Sequence, residues 1–135
     1  MMPFLINIFQ ETAKNTFFRK VLFTGKQSQL VVMSIPSNGE IGEETHTHVE
    51  QTLFLLSGKG KTILNGTEKK FDSGDVVVVT PGTKHNFLNT GTEPLKIFTL
   101  YSPANHIDGR IHETKADADS DEDDKAYERA MEYSC

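Results

Sequence analysis

One short stretch of the chain constrains its structure more than any other. Residues 43–51 contain two imidazoles, three carboxylates and one amide. If this stretch forms a β-strand, the alternation of side chains directs Glu44, His46 and His48 to one face. Imidazole is a common ligand of Zn, Fe, Ni and Mn, and carboxylate or amide oxygen suits the harder of these ions. The stretch therefore predicts half of a metal site, and His85 offers a third imidazole.

The pattern around this stretch is that of a β protein. About nine short β-type runs precede residue 112, separated by Gly, Pro and Asn, at 4–9, 17–23, 29–35, 52–56, 61–64, 67–71, 76–79, 87–88 and 95–101. Asn65-Gly66 is a strong signal for a two-residue hairpin. No segment shows the 3.6-residue period of a long helix. We therefore predict that residues 1–112 form one all-β domain, a double sheet such as a jelly roll.

Residues 113–135 differ from this domain in charge. They hold nine acidic and three basic side chains, whereas residues 1–112 hold ten acidic and eleven basic, so the net charge of −5 arises in the tail. We expect the acidic run 117–124 to be a solvated extension, followed by a short helix over residues 125–133. His106 and His112 lie outside the His-rich stretch, and we expect them at the surface.

The composition also bounds the partners and the compartment. The nearly neutral domain has no basic face, which argues against nucleic acid or an anionic membrane as a partner. No apolar run is long enough to span a bilayer, and the N-terminal residues do not resemble a signal peptide. The single cysteine, Cys135, cannot form an internal disulfide. We therefore expect a cytoplasmic protein.

Two sequence motifs together resemble those of the cupin family. The first consists of Gly39 or Gly42, His46-Thr47-His48, Gln51 and, after six intervening residues, Gly58. The second consists of Gly74, Pro81, Gly82, His85 and Asn89, with the proline displaced by one position. The motifs cover residues 39–89, and the flanking runs fit a single-domain cupin as far as Tyr101. The chain is similar in particular to small cupins described as mannose-6-phosphate-isomerase-like.

This resemblance implies a fold, a cofactor and an oligomeric state. A cupin is a jelly-roll barrel, also called a double-stranded β-helix, that holds a metal in its interior. The motif positions imply that His46, His48, Gln51 and His85 bind a divalent ion, which would be Fe, Mn, Ni, Co or Zn. Many cupins are homodimers, and we expect the same of this chain.

The chain departs from the family pattern at the fourth ligand position. Gln51 stands where the family has Glu, and it lies an odd number of residues from His48, so a bulge or loop must turn it toward the metal. Gln51 is then either a ligand or a residue that orients an imidazole. Glu44 or Glu50 could supply the oxygen instead, and Glu44 is also a candidate general base. Gln in place of the family's Glu removes one negative charge from the site, and this loss favours an anionic ligand.

Three functions remain open from the sequence. The first is a metal-dependent enzyme that acts on a small oxygenated metabolite by dioxygenation or by sugar-phosphate isomerisation. The second is a module that binds a small molecule without converting it. The third is a stable barrel whose imidazoles bind no metal. The sequence does not decide whether the protein is an enzyme, because a fold does not fix a reaction.

Overall fold

The computed structural model describes residues 2–132; Met1 and residues 133–135, which include Cys135, lie outside the described residues. Within the described part, the strands are Arg19–Thr24 (β1), Gln29–Ile35 (β2), Glu44–Thr45 (β3), Glu50–Ser57 (β4), Lys59–Leu64 (β5), Thr67–Asp72 (β6), Val76–Val79 (β7), Lys84–Asn89 (β8), Leu95–Ser102 (β9) and Ile111–His112 (β10). The helices are Ile8–Lys14 (α1), Lys115–Asp119 (α2) and Glu122–Glu132 (α3).

The strands form two antiparallel sheets that share one core. Six strands follow the order β10-β1-β2-β9-β4-β7, and four follow the order β3-β8-β5-β6. Apolar side chains from both sheets pack together, among them Val31, Met33, Ile35, Leu53, Leu55, Phe71, Phe87 and Ile97. Burial of this apolar surface is the main favourable term in forming the fold. The predicted all-β double sheet is confirmed.

Side-chain alternation along the central strands makes one end of the interior polar. The buried residues of β9 are Leu95, Ile97, Thr99 and Tyr101, and those of β4 are Gln51, Leu53 and Leu55. Gln51 pairs with Tyr101 across the two strands, so the polar ends of both strands coincide. The apolar residues fill the other end. A polar group on this inner face therefore lies in the barrel interior rather than in water.

The hairpin between β5 and β6 forms as its turn residues predict. Leu64 pairs with Thr67, which leaves Asn65-Gly66 as the two-residue connection. Both have positive φ, 49° at Asn65 and 83° at Gly66. These are the left-handed conformations of a type I′ turn, whose twist matches the twist of the strands.

The predicted N-terminal strand over residues 4–9 is wrong. Helix α1 begins within that run at Ile8, because the side chain of Asn7 accepts a hydrogen bond of 3.1 Å from the Gln10 backbone N–H and caps the helix. The Phe9 ring lies 6.3 Å from the Phe98 ring, on the outside of the six-stranded sheet. No helix in the described part of the chain is long and apolar enough to cross a membrane.

The acidic run 117–124 is largely exposed, as its composition predicts, but the tail is helical and partly buried, and the helix predicted from residue 125 begins at Glu122. Residues 115–119 and 122–132 are helical, and Asp124 is buried. Thr114 and Asp117 form a capping box at the start of α2, which satisfies two backbone N–H groups there. Local charge density predicted solvation, but contacts with distant residues bury part of the tail.

Candidate metal centre

Three of the residues in the His-rich pattern and its partner strand converge. One ligand atom each of Glu44, His46 and His85 lies within 4.8 Å of the other two. Glu44 on β3 pairs directly with His85 on β8, and His46 follows β3 immediately. The rings of His46 and His85 are 5.1 Å apart. The structure therefore brings together residues that are about forty positions apart in the sequence.

The backbone around His46 is fixed by the turn that precedes β8. The Gly82 N–H donates a hydrogen bond of 2.7 Å to the His46 carbonyl. Gly82 has a φ of 88°, a left-handed conformation that is readily open to glycine. The second motif thus holds the first in place through its glycine as well as through its histidine.

The His46 ring presents an unpartnered nitrogen to its neighbours. The residue is only 5% exposed, and its Nε2 has no hydrogen-bond partner among residues 2–132. Glu44 Oε2 lies 3.2 Å from this nitrogen but out of line for a hydrogen bond. The other nitrogen, Nδ1, lies 3.3 Å from Glu132 Oε1. A buried polar atom without a partner is costly, so Nε2 is a position that a bound group would satisfy.

The His85 ring is held in the tautomer that a metal ligand requires. Its Nδ1 lies 2.9 Å from the Thr83 carbonyl oxygen. A carbonyl can only accept a hydrogen bond, so Nδ1 is the donor and Nε2 of the neutral ring keeps its lone pair. A hydrogen bond from the other ring nitrogen is the usual support of a metal-binding imidazole.

The local charges favour a cation at this site. Burial raises the pKa of Glu44, but adjacent His46 outweighs it and brings the pKa to about 2. Burial lowers the pKa of His46, yet Glu44, Glu132 and Glu128 together raise it above its ordinary value. Burial lowers the pKa of His85 despite the Thr83 carbonyl. Carboxylates that stabilise positive charge on His46 would also stabilise a metal ion in its place.

The donor set fits a divalent ion. Two imidazoles and one carboxylate are ligands for Fe, Mn, Co, Ni and Zn. Ligand atoms about 2.1 Å from one ion, at right angles, lie about 3 Å from each other, and Glu44 Oε2 and His46 Nε2 are 3.2 Å apart without a hydrogen bond. Glu44 and His46 therefore already have the spacing of two ligands of one ion, and the ligand atom of His85 lies within 4.8 Å of both.

The structure does not bring His48 to this group. The strand predicted through residues 44–48 ends at Thr45. The chain turns there, and Thr47 in this turn contacts Glu132. Period two no longer applies beyond that point, and the His48 side chain is exposed. Glu50, the other candidate oxygen ligand, is also exposed.

Gln51 lies in the interior but outside the group of ligand atoms. Its strand β4 starts after the loop that contains His48, and the new register directs Gln51 inward, where it is 3% exposed. Its Nε2 donates a hydrogen bond of 3.3 Å to Thr99 Oγ1. The loop thus turns Gln51 inward, as the sequence required, and Glu44 is the carboxylate beside the imidazoles.

Helix α3 closes this end of the barrel with carboxylates. Asp124, Glu128 and Glu132 are four residues apart and share one helix face. Glu132 Oε2 accepts hydrogen bonds from the Thr47 backbone N–H and, at 3.1 Å, from the Thr47 hydroxyl. The Thr47 hydroxyl also lies 3.0 Å from the Glu132 carbonyl. The loop between the two histidines of the first motif is therefore the docking point for the end of α3.

His106 and His112 are interior residues, which corrects the prediction that they lie at the surface. His106 is 0% and His112 3% exposed. His106 Nδ1 contacts Asp124 Oδ2 at 2.7 Å and Glu128 Oε1 at 3.3 Å. His106 Nε2 lies 3.3 Å from the Tyr101 hydroxyl. The tail acids thus form the other half of a polar network that sequence motifs did not reveal; the four-residue spacing of the acids was the one available signal.

Two further groups of ligand-type side chains are better described as ion networks. They are His106, Asp124 and Glu128, and His112, Asp121 and Asp124. Arg110 binds both oxygens of Asp121, at 2.6 and 2.8 Å, and holds its pKa well below the ordinary range, as His112 does to a lesser degree. A guanidinium therefore already supplies the positive charge in the second group.

Solvent reaches the group through a cleft between β3 and the tail helices. The cleft has a volume of about 630 Å³ and includes Glu44, His46, Glu128 and Glu132 in its lining. Lys115, Lys125 and Arg129 contribute cations to the same lining. A small polar molecule could approach His46 by this route.

Comparison with known proteins identifies the family. Residues 31–101 match the model described as "Cupin domain". The chain is 42% identical to the uncharacterized protein YrkC of Bacillus subtilis over 128 residues, which cover 90% of this chain and 68% of that protein. It is 34% identical to the uncharacterized protein L612 of Acanthamoeba polyphaga mimivirus, covering 80% of this chain and 70% of that protein.

A solved structure supports the same assignment. The crystal structure of BH2720 from Bacillus halodurans has a TM-score of 0.87 and 36% sequence identity, covering 88% of this chain and 95% of that chain. The family model, at residues 31–101, spans both Glu44 and His85. The chain belongs to the cupin family.

Proposed function

We propose that Glu44, His46 and His85 bind a divalent metal ion and that the protein acts on a small oxygenated metabolite at that ion. The observation that carries this proposal is the buried His46 Nε2, which has no hydrogen-bond partner in the described part of the chain and lies 3.2 Å from Glu44 Oε2. The Thr83 contact that leaves His85 Nε2 free supports the same assignment. A metal at this position would supply a Lewis acid that polarises a bound oxygen atom.

The proposal gives each neighbouring side chain a role. Glu44, ionised at neutral pH because of its pKa near 2, acts as the oxygen ligand in place of the Glu that Gln51 replaces. Its role as a general base stays a prediction. Glu132 faces the second nitrogen of His46 at 3.3 Å and orients the ring, as outer carboxylates do in metal sites. Helix α3 limits the access of water to this end of the interior.

Metal content of matched variants tests the proposal. We expect purified, untagged protein loaded with Fe, Mn, Co, Ni or Zn to bind one ion per chain, and His46→Ala and His85→Ala each to lose it. His48→Ala is the matched control, because that imidazole belongs to the same motif but is exposed. Glu44→Gln should weaken binding, while Glu43→Gln, an exposed neighbour, should not. Equal metal content in all five variants would refute the assignment.

The reaction is proposed only as a class. Dioxygenation and sugar-phosphate isomerisation are the two enzymatic candidates, and oxygen uptake by the Fe-loaded protein separates them. The alternative is a module that binds a metabolite without converting it. The docking of α3 on Thr47, which narrows the mouth of the barrel, favours that alternative. A compound that raises the Tm but is recovered unchanged would support binding without catalysis.

The proposal also includes a homodimer. Phe54, Val76, Val78 and Leu100 are exposed on neighbouring strands of the six-stranded sheet, and β7 is an edge of that sheet. An apolar patch of this kind is typical of an interface. Light scattering should show a dimer that Val78→Asp converts to a monomer. Ile111→Asp, an exposed apolar residue at the opposite edge, is the control and should stay dimeric.

A further inference from the structure

Lys96 is a half-buried cation whose hydrogen-bond partners are both neutral. It lies on the outer face of β9, and its Nζ donates hydrogen bonds of 2.5 Å to the Asn15 carbonyl and 3.2 Å to Ser34 Oγ. Within residues 2–132 it forms no ion pair with a carboxylate, and burial lowers its pKa. An ammonium group has three donors, so one N–H of Lys96 is left for a further acceptor.

Lys96 also lines a cavity of about 400 Å³. Phe18, Pro36 and Pro94 contribute apolar carbon atoms to the lining, and Ser34 belongs to it as well. The volume is within the range of small-molecule sites, which combine apolar walls with a few polar groups. The cavity therefore has the composition of a binding site, with the ammonium group of Lys96 as its cation.

The ammonium group lies on the side of this cavity rather than of its neighbour. A second cavity, of about 610 Å³, is lined by Lys96 and by Lys59. Ser34, which accepts a hydrogen bond from Lys96, and Thr16, which follows Asn15 in the chain, line the first cavity and not the second. The two hydrogen bonds thus hold the Nζ among residues of the first cavity.

The other charges in the lining limit the charge of a ligand. Lys115 is already paired with Asp119 at 2.8 Å. Glu40 and Glu113 are exposed members of the same lining, and neither forms an ion pair with another described residue. These two carboxylates would repel a second negative charge on a ligand. The lining therefore suits a monoanion better than a dianion.

We propose that this cavity binds a small monocarboxylate with a compact apolar body, and that Lys96 binds its carboxylate group. The third N–H of Lys96 would donate to a carboxylate oxygen, and such charge-assisted hydrogen bonds are stronger than neutral ones. The apolar body would pack against Phe18, Pro36 and Pro94. The lining contains none of the candidate metal ligands, so this site does not depend on the proposed function.

Benzoate binding to the metal-loaded, full-length protein, measured by calorimetry, tests this proposal. Benzamide serves as the neutral analogue and phthalate as the dianion. We expect benzoate to bind saturably and both analogues to bind roughly tenfold or more weakly. The Lys96→Met variant should bind benzoate more weakly to a similar extent. Lys59→Met, which changes an exposed lysine of the second cavity, is the matched control and should bind like the unmodified protein.

A second pair of variants keeps the test decisive if Lys96→Met does not fold. Thr16→Trp adds bulk at an exposed position of the first cavity and should block benzoate, whereas Thr92→Trp, at an exposed position of the second cavity, should not. Glu40 and Lys115 line both the proposed site and the cleft at the metal centre. His85→Ala therefore serves to separate the two sites, and it should bind benzoate with unchanged affinity.

Several results would overturn the proposal. They are equal affinity of the unmodified and Lys96→Met proteins for benzoate, equal affinity for benzamide, tighter binding of phthalate, or no binding of benzoate. Loss of binding in Thr92→Trp but not in Thr16→Trp would place the acid in the second cavity. Loss of binding in His85→Ala would place it at the metal centre, which refutes the separate site and leaves the metal assignment intact.

Discussion

Protonation of His106 should make the stability of the protein depend on pH. The ring is completely buried, and burial is the main cause that lowers its pKa from 6.5 to about 4, with a further contribution from Arg19. In the unfolded chain the pKa returns to the ordinary value. Above pH 6.5 the ring is neutral in both states. Between pH 6.5 and 4 only the unfolded chain binds the proton, so stability falls as the pH falls.

The size of this effect follows from the shift. A difference of 2.5 between 6.5 and about 4 corresponds to about 3 kcal/mol lost by pH 4. Other groups titrate in the same range, and His46, whose pKa is raised, acts in the opposite direction. The contribution of His106 must therefore be measured as a difference between two proteins.

Urea unfolding from pH 4 to 7.5 provides the assay. The His106→Gln variant should have lower stability at pH 7.5, because the hydrogen bond to Asp124 is weakened, but a flatter dependence on pH below 6.5. The exposed His48→Gln variant should follow the unmodified protein throughout. If stability depends on pH in the same way for the unmodified and His106→Gln proteins between pH 4 and 6.5, His106 does not have a lowered pKa in the folded protein and the reasoning is refuted.

Three further predictions concern the tail and the metal. Thr47→Val should remove both hydroxyl contacts to Glu132 and leave the backbone one, and faster hydrogen exchange in α3 should follow; unchanged exchange would contradict docking at this loop. Asp121→Asn should destabilise the protein by about 1–2 kcal/mol in urea unfolding, because Arg110 loses its charged acceptor, whereas the exposed Asp123→Asn should have little effect. Removal of the ion by a chelator should lower the free energy of unfolding by about 2.7 kcal/mol relative to protein with free metal at a hundred times its Kd, and an equal stability would mean that no ion binds the folded state.

The strands were predictable because their information is local. Strands β4 and β9 are short runs rich in apolar residues that are followed by Gly58 and by Pro103, and Asn65-Gly66 defines its hairpin without help from distant residues. The meeting of His46 and His85 was predictable only through the resemblance to a family, since no local pattern relates two residues that far apart. The strand predicted from the apolar run at residues 4–9 was wrong, because the Asn7 side chain caps a helix that begins at Ile8.

The tail was not predictable from its own residues. An acidic helix normally faces water, and the four-residue spacing of Asp124, Glu128 and Glu132 does not say which residues these acids contact. Those partners are His106 and Thr47, the latter 85 residues away from Glu132. The exposed position of His48 was not predictable for the same reason, because the strand ends at Thr45 and the next turn contacts the tail through Thr47. Long-range side-chain pairs of this kind leave no periodic signal.

The most direct test of the central claim is a crystal structure of the metal-loaded protein with anomalous scattering from the ion. The account predicts one interior peak about 2.0–2.3 Å from ring nitrogens of His46 and His85 and from an oxygen of Glu44, with His48 remote from it. A peak at His48, at Asp121 or at the surface of α3, or no interior peak at saturating metal, would contradict it.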